Sequence, residues 1–126
     1  MRTLKILVVD DDDRHRQSLI HLINAICPGT TVFTAVNGKY GLEVFARNQD
    51  IDLVLTDLQM PVLNGIGLVR QIREIKSDQR FIMISGSAKT DEIRALRIVF
   101  RQKNIPGLRE FLQTMLESID DPVLWS

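Results

Sequence analysis

Aspartates follow two separate apolar runs of this chain, and a hydroxyl follows a third. Asp10 to Asp13 come directly after Ile6–Val9, Asp57 ends a second run, and Ser85 ends another. Carboxylates brought together resist joint ionisation, since a pair at ~4 Å repels by about 4 kcal/mol at an effective dielectric of ~20. Either one carboxyl keeps its proton or a cation lies between them. Oxygen ligands suit a hard ion such as Mg²⁺, which takes one or two carboxylates.

Short apolar runs alternate with segments of helical period. Continuous apolar or β-branched runs are typical of buried strands, and they predict strands at Ile6–Val9, Thr31–Val36, Ile51–Thr56 and Phe81–Ile84. Four amphipathic helices are predicted, with Asn37 as the cap of the second. Their inward residues are predicted to be Leu19, Leu22, Ile23 and Ile26, then Leu42, Phe45 and Ala46, then Leu68, Val69, Ile72 and Ile75, and finally Leu108, Phe111, Leu112, Met115, Leu116 and Ile119.

This alternation predicts right-handed crossovers and a parallel sheet with helices on both faces. Ligands of such sheets bind beyond the carboxyl ends of the strands. In a 2-1-3-4-5 order the first and third strands are neighbours, so Asp10, Asp11 and Asp57 would share one crevice, with Ser85 at the end of the next strand.

The segment from Gly86 to Ile105 allows two interpretations. Thr90 could cap an additional helix, the fourth in chain order, with acidic residues favourably placed in its first turn. Ile98–Phe100 would then be a fifth strand. Ile93, Leu96 and Phe100 also keep helical spacing, so the helix could instead continue. We favour the strand.

Length and composition limit the class of protein and the number of domains. A chain of 126 residues with 44% hydrophobic and 25% charged residues is expected to form one globular domain. Lys+Arg and Asp+Glu both number 16, so the overall charge indicates neither nucleic acid nor an anionic membrane. Cys27 is the single cysteine, and Met1 leads directly into the first strand, so we expect a reduced, cytoplasmic protein without a signal peptide. The tail, residues 120–126, could fray; Trp125 could instead dock on the body, or it could mark where a longer parent protein was cut.

Each candidate residue also has a simpler explanation. Asp10 to Asp13 could form a solvated turn, with Asp12 or Asp13 at a helix N-terminus. Ser85 could be only a small residue at a strand end, Lys103 an exposed lysine, and Phe100 a core residue. Pro61 and Gly65 need only be turn residues, with Gly65 offering a positive φ. His15 and His21 are expected on the surface of the first helix.

Four motifs resemble those of one family. They are "ILVVDDD" (Ile6–Asp12), "DLVLTDLQMPVLNG" (Asp52–Gly65), "IMISG" (Ile82–Gly86) and "FRQK" (Phe100–Lys103). Together they resemble the receiver domain of two-component response regulators, from Lys5 to about Ser118. The resemblance implies a flavodoxin-like, doubly wound, five-stranded parallel sheet in the order 2-1-3-4-5. It also implies a single receiver domain over residues 1–126, with a core of about 4–119.

The resemblance further implies roles for the matching residues. Asp57 would be the phosphoacceptor, and Asp10 and Asp11 would hold Mg²⁺ with it. The backbone carbonyl of Gln59 would be a further Mg²⁺ ligand. Ser85 would bind a phosphoryl oxygen, and Lys103 would pair with the phosphoryl group. Ser85 and Phe100 would form the switch.

The function implied is a signalling module rather than an enzyme acting on outside substrates. Its phosphoryl donor would be a sensor histidine kinase or a histidine phosphotransfer protein, and its output a downstream effector or a fused output domain. No direct nucleic-acid or membrane contact is expected, and a phosphorylation-dependent homodimer is left open. A degenerate receiver that binds partners without phosphorylation is the alternative. A small Mg²⁺-dependent phosphatase is disfavoured because Gln59 stands where its general acid would be, and a flavin or dinucleotide site because no glycine-rich loop follows the first strand.

The chain departs from the family pattern in two places. Asn104 follows Lys103 where the family usually has proline after a cis bond, and a cis bond before a non-proline residue costs ~2.5–4 kcal/mol. The turn is therefore expected to be trans or strained. The segment between Ser85 and Lys103 is also about four residues shorter than usual. This predicts a shortened or irregular fourth helix and an altered, flexible output face.

Overall fold

In a computed structural model, which describes residues 3–125, strands and helices alternate along the chain. The predicted start at Met1 and the last tail residue, Ser126, lie outside the described residues. The strands are β1 (Lys5–Val9), β2 (Thr31–Ala35), β3 (Leu53–Thr56), β4 (Arg80–Ser85) and β5 (Val99–Gln102). The helices are α1 (Asp13–Ile26), α2 (Gly38–Arg47), α3 (Gly65–Ile75), α4 (Asp91–Ala95), α5 (Leu108–Glu117) and α6 (Pro122–Trp125).

The five strands form one parallel sheet in the order β2-β1-β3-β4-β5, which confirms the predicted flavodoxin-like fold. Val9 pairs with Thr56 across β1 and β3, and Thr56 pairs with Met83 of β4. The carboxyl ends of these three strands are therefore adjacent, and the residues that follow them meet at one edge of the sheet.

Two apolar clusters cover the two faces of the sheet. One includes Phe45 of α2, Val54 of β3 and Leu68 of α3. The other includes Leu55 of β3 and residues of α1 and α5. Cys27 lies buried in this second cluster. Successive strand residues alternate between the clusters, as the period of two in a β-strand requires.

Two of the inward positions predicted from helical spacing are wrong. Ala46 of α2 and Ile75 of α3 are exposed, Ile75 by 42%. Ala46 is the penultimate residue of α2 and Ile75 the last residue of α3, so both lie beyond the last fully buried positions of their helices, Phe45 and Ile72. Asn37 does cap α2 as predicted, because its side-chain oxygen accepts a hydrogen bond from the backbone N–H of Tyr40 at 2.9 Å.

The segment after β4 contains a short helix and a fifth strand, as favoured above. Thr90 caps α4, its Oγ1 accepting from the N–H of Ile93 at 3.2 Å. After the helix, Arg97 adopts a positive φ of 54° and turns the chain into β5, so the alternative of a continuing helix is wrong. Arg73 of α3 donates to the backbone carbonyls of Leu96 and Arg97, which holds the carboxyl end of α4.

Of the alternatives for the tail, docking of Trp125 on the body is confirmed, and residues 122–125 do not fray. They form α6, and the Nε1–H of Trp125 donates to the carbonyl of Ser118 at 2.9 Å. The guanidinium of Arg80 lies 5.7 Å from the centre of the indole ring, within the range of a cation–π contact. Among the described residues, no helix combines the length and the apolar character that a membrane crossing requires.

Candidate functional site

Three carboxylates converge at the carboxyl edge of the sheet. Asp10 follows β1 directly and Asp57 follows β3, while Asp11 stands at the start of the loop that leads to α1. One carboxylate oxygen from each residue lies within 4.8 Å of the others. Asp10 and Asp57 are 1% and 7% exposed, whereas Asp11 is exposed. The pairing of Val9 with Thr56 produces this convergence, because it aligns the two strand ends.

Lys103 reaches the same crevice from the end of β5. Its Nζ donates to Oδ2 of Asp57 at 2.8 Å, and the backbone N–H of Leu58 donates to Oδ1 at 2.7 Å. Partial burial lowers the pKa of Lys103, but the hydrogen bond to Asp57 and the charges of Asp57, Asp10 and Asp12 outweigh it. The net effect is a raised pKa, which keeps this ammonium charged. The predicted lysine is thus at the acidic crevice despite the shortened segment before it.

Asp10 is held by residues that were not predicted to belong to the site. His15 Nδ1 contacts Oδ2 of Asp10, and the backbone N–H of Asp12 donates to Oδ1 at 2.9 Å. Arg16, which is buried, donates to the carbonyl of Asp10 at 2.8 Å. Burial raises the pKa of Asp10, but the His15 and Asp12 hydrogen bonds and the charges of His15 and Lys103 together lower it.

His15 is partly buried, with 21% of its side chain exposed, whereas His21 is exposed as expected. Asp12 caps α1 by accepting from the backbone N–H groups of Arg14 and His15, at 2.9 and 3.1 Å. A helix that begins so soon after β1 directs its first turn back over the strand end. The capping signal at Asp12 could have indicated that a side chain of the first turn reaches Asp10.

Ser85, Phe100 and Gln59 take different positions around this crevice. Ser85 ends β4 and is 1% exposed, with its Oγ accepting from the N–H of Ser87 at 3.1 Å. Phe100 is half-buried, pairs with Met83 across the strands, and packs against the apolar cluster under α2 and α3. The side chain of Gln59 is exposed and lines a groove that also contains Asp11 and Glu92.

The start of α3, at Gly65, packs closely against the backbone of Asp57. A Cβ at Gly65 would lie 2.2 Å from the carbonyl oxygen of Asp57, so no side chain fits there. The expected positive φ at Gly65 is wrong, because in this loop it falls on Val62, at 73°. Val62 is β-branched, for which a positive φ is a genuine outlier, and its side chain is 76% exposed.

The donor set of the crevice fits a hard divalent cation. Asp10, Asp11 and Asp57 bring three carboxylates together, while Lys103 contributes one ammonium, so negative charge remains. Oxygen-only donors of this kind match the preference of Mg²⁺. The bond between Lys103 and Asn104 is trans, as are all peptide bonds in the described part of the chain.

Comparison with known proteins identifies the family. Residues 6–100 match the family model described as the response regulator receiver domain. The sensor kinase/phosphatase LuxN of Vibrio campbellii is 33% identical over 88 residues, which cover 70% of this chain and 10% of LuxN. The nitrate/nitrite response regulator NarL of Escherichia coli is 34% identical over 88 residues, 70% of this chain and 40% of NarL. The chain thus spans less than half the length of these relatives.

Solved structures agree with this match. A response regulator receiver domain protein from Clostridium thermocellum is 30% identical with a TM-score of 0.79, over 92% of this chain and 93% of that one. The chemotaxis protein CheY4 of Vibrio cholerae, 24% identical, shares the fold with a TM-score of 0.79, over 94% and 99% of the two chains. The matched region includes both acidic strand ends and the Ser85 hydroxyl. This chain therefore belongs to the response regulator receiver domain family.

Proposed function

We propose that this domain accepts a phosphoryl group on Asp57 from a sensor histidine kinase or a histidine phosphotransfer protein. The observation that carries the proposal is the contact between Lys103 and Asp57 beside two further carboxylates. A buried carboxylate with a positive partner at hydrogen-bond distance is able to act as a nucleophile toward phosphorus, because the ammonium offsets the charge of an anionic donor.

In the proposed step, an oxygen of Asp57 attacks the phosphorus in line with the leaving group. A new P–O bond forms, the bond between phosphorus and the donor breaks, and the donor leaves with the electron pair of that bond. Lys103 would pass from Oδ2 of Asp57 to an equatorial phosphoryl oxygen, and Ser85 would donate its hydroxyl to another. Catalysis of this kind consists mainly of positioning and charge stabilisation.

Asp10, Asp11 and Asp57 would hold Mg²⁺, with the backbone carbonyl of Gln59 as a further ligand. When bound, the ion supplies positive charge that stabilises the phosphoryl oxygens during transfer. His15 and Arg16 support this role from outside the ligand set, since they hold Asp10 through its carboxylate and its carbonyl. Partners that orient metal ligands in this way commonly affect affinity for the ion.

The signal would pass from the crevice to a partner through Ser85 and Phe100. Phosphorylation would draw the Ser85 hydroxyl toward Asp57, and Phe100 would repack into the space released. Phe100 lacks a hydroxyl, so it would report through packing. The readers would be a downstream effector or a fused output domain, and a phosphorylation-dependent homodimer is a further form of output. We place this receiver domain in the cytoplasm, with residues 1–126 as one unit and no direct contact with nucleic acid or membrane.

The test is incubation with acetyl phosphate and MgCl₂, followed by intact-mass measurement. We expect the chain to gain one phosphoryl group, and Asp57→Asn to gain none. The matched control is Asp52→Asn, which changes an aspartate at the opposite end of β3 and should still gain the group. Absence of any mass gain in the unsubstituted chain, with folding intact, contradicts the proposal.

The five-residue α4 supports a second candidate, a receiver that binds its partner without phosphorylation. The same experiment separates the two. If the unsubstituted chain gains no phosphoryl group, and if it and the Asp57→Asn variant bind an effector equally well, the domain belongs to this second class.

A further inference from the structure

The turn that carries Lys103 lies at the edge of the sheet and has little support of its own. Strand β5 pairs with β4 alone, and the backbone N–H of Lys103 forms the last bond between them, to the carbonyl of Ser85 at 2.8 Å. Residues 104–107 beyond it are exposed. Gly107 stands at the N-cap of α5 with a φ of 91° and offers no side-chain cap.

One side chain ties this turn to the body of the domain. The Nη2 of Arg101 donates to the carbonyls of Ile105 and Pro106 at 2.9 and 2.6 Å. The same guanidinium lies 4.8 Å from the ring centre of Phe111 in α5, within cation–π range. Arg101 thus connects β5, the turn and α5 through one planar group.

The placement of Arg101 follows from the strand. Neighbouring residues of β5 alternate between the two faces of the sheet. Phe100 packs against the cluster under α2 and α3, whereas Val99 and Phe111 pack against the cluster under α1 and α5. Arg101 therefore projects on the α5 side, where it reaches the turn that follows Lys103.

We infer that Arg101 is a positioning residue for Lys103, fixing the turn so that the Lys103 ammonium stays on Asp57. The inference rests on the proposed function of Asp57. The ammonium of a lysine stands on a flexible four-carbon stem, so its position depends on where the backbone that carries the stem is held. With Ile105 and Pro106 held, the backbone leaves β5 in one direction and the ammonium reaches Oδ2 of Asp57. Without Arg101, the turn and the ammonium would sample other positions.

A residue that supports only the stability of α5 would behave differently, and a double-mutant cycle distinguishes the two roles. The variants are Arg101→Met, Lys103→Met, and both together, with Arg109→Met as the matched control, an exposed arginine of α5. Arg101→Met keeps an unbranched apolar stem beside Phe111 and removes the donors. Arg101→Lys keeps the positive charge but loses the planar guanidinium with its several N–H donors. It should give a phosphorylation rate between those of Arg101→Met and the unsubstituted chain.

The first readout is the rate of phosphorylation by acetyl phosphate with Mg²⁺, followed by intact mass. We expect Arg101→Met to slow the reaction about tenfold, less than the roughly hundredfold cost of a 1 Å misplacement, and Arg109→Met to leave it unchanged. In the Lys103→Met background, Arg101→Met should slow the reaction no further. An Arg101→Met rate equal to that of the unsubstituted chain, or the same fold loss in both backgrounds, overturns the inference.

The second readout does not depend on phosphorylation. Urea unfolding of the four chains in the cycle should show that Lys103→Met shifts the midpoint less when Arg101 is already replaced, because the contact with Asp57 is already weakened. Additive midpoint shifts overturn the inference even if the unsubstituted chain gains no phosphoryl group. Failure of the proposed function and failure of the Arg101 role therefore give different results.

Discussion

The centre and the edge of the sheet position their site residues in different ways. Strands β1, β3 and β4 are buried, and backbone register alone brings Asp10, Asp57 and Ser85 to one edge. Every residue of β5 is only partly buried, and the helix before it has five residues. Lys103 directly follows Gln102, which pairs with Ser85, and its side chain extends from this partly buried edge to Asp57. The carboxylates therefore follow buried strands, whereas the ammonium follows a strand that is less well covered.

The strongest test of the centre is Gly65→Ala. The new Cβ would meet the carbonyl oxygen of Asp57 at 2.2 Å, so the backbone must shift. We expect a loss of about 3 kcal/mol in the free energy of unfolding, as for severe overpacking, measured by urea denaturation. Gly86→Ala, at the edge side, is the matched control because nothing lies within 4 Å of its added Cβ. Equal stability of the two variants would contradict the close approach at Gly65.

A pair of identical substitutions measures the packing difference directly. Val54 in β3 is 0% exposed, whereas Val99 in β5 is partly buried. Val54→Ala should cost about 2 kcal/mol, from two lost methyl groups and the cavity they leave. Val99→Ala should cost about half of that, since part of its surface is already in water. Calorimetric or urea unfolding provides both values, and equal losses would remove the distinction between centre and edge.

Arg73→Met tests how α4 is held at the edge. The variant removes the donors to the carbonyls of Leu96 and Arg97 and the cation–π contact with Phe81. We expect a loss of about 1.5 kcal/mol, within the range for charged hydrogen bonds, and faster amide exchange in α4. Arg70→Met is the control, because its exposed ion pair with Glu92 at 3.3 Å should contribute little. Unchanged exchange in α4 would show that Arg73 does not hold the helix.

The smallest expected effect is a gain of stability at Val62. Its positive φ strains a β-branched residue, and asparagine adopts that conformation more readily. Val62→Asn should therefore raise the free energy of unfolding by about 1 kcal/mol. Val36→Asn, another exposed valine without a positive φ, should produce no gain. A destabilised Val62→Asn would show that the apolar side chain packs favourably in solution.

The centre was predictable from sequence because its signals are local. Continuous apolar runs define the buried strands, and an aspartate directly after each run must lie at the sheet edge. Asn37 and Thr90 were also predictable as helix caps, since a cap bonds a backbone group two or three residues away.

The edge contacts were not predictable, because long side chains choose partners that tertiary structure brings near. Arg101, Arg73 and His15 each contact a backbone carbonyl or carboxylate whose position depends on several elements. Ile75 illustrates the opposite error, since its helical spacing is correct but it is the last residue of α3 and is 42% exposed. Val62 was missed because sequence places positive φ on glycine first.

The single tryptophan of the chain has an optical consequence. Trp125 stacks beside Arg80, the first residue of β4, whereas Ser85 at the other end of that strand borders the acidic crevice. Five residue steps of a strand separate these ends by about 16 Å. Indole emission will therefore follow the docking of α6 and global unfolding, while an ion entering among the carboxylates leaves it almost unaltered.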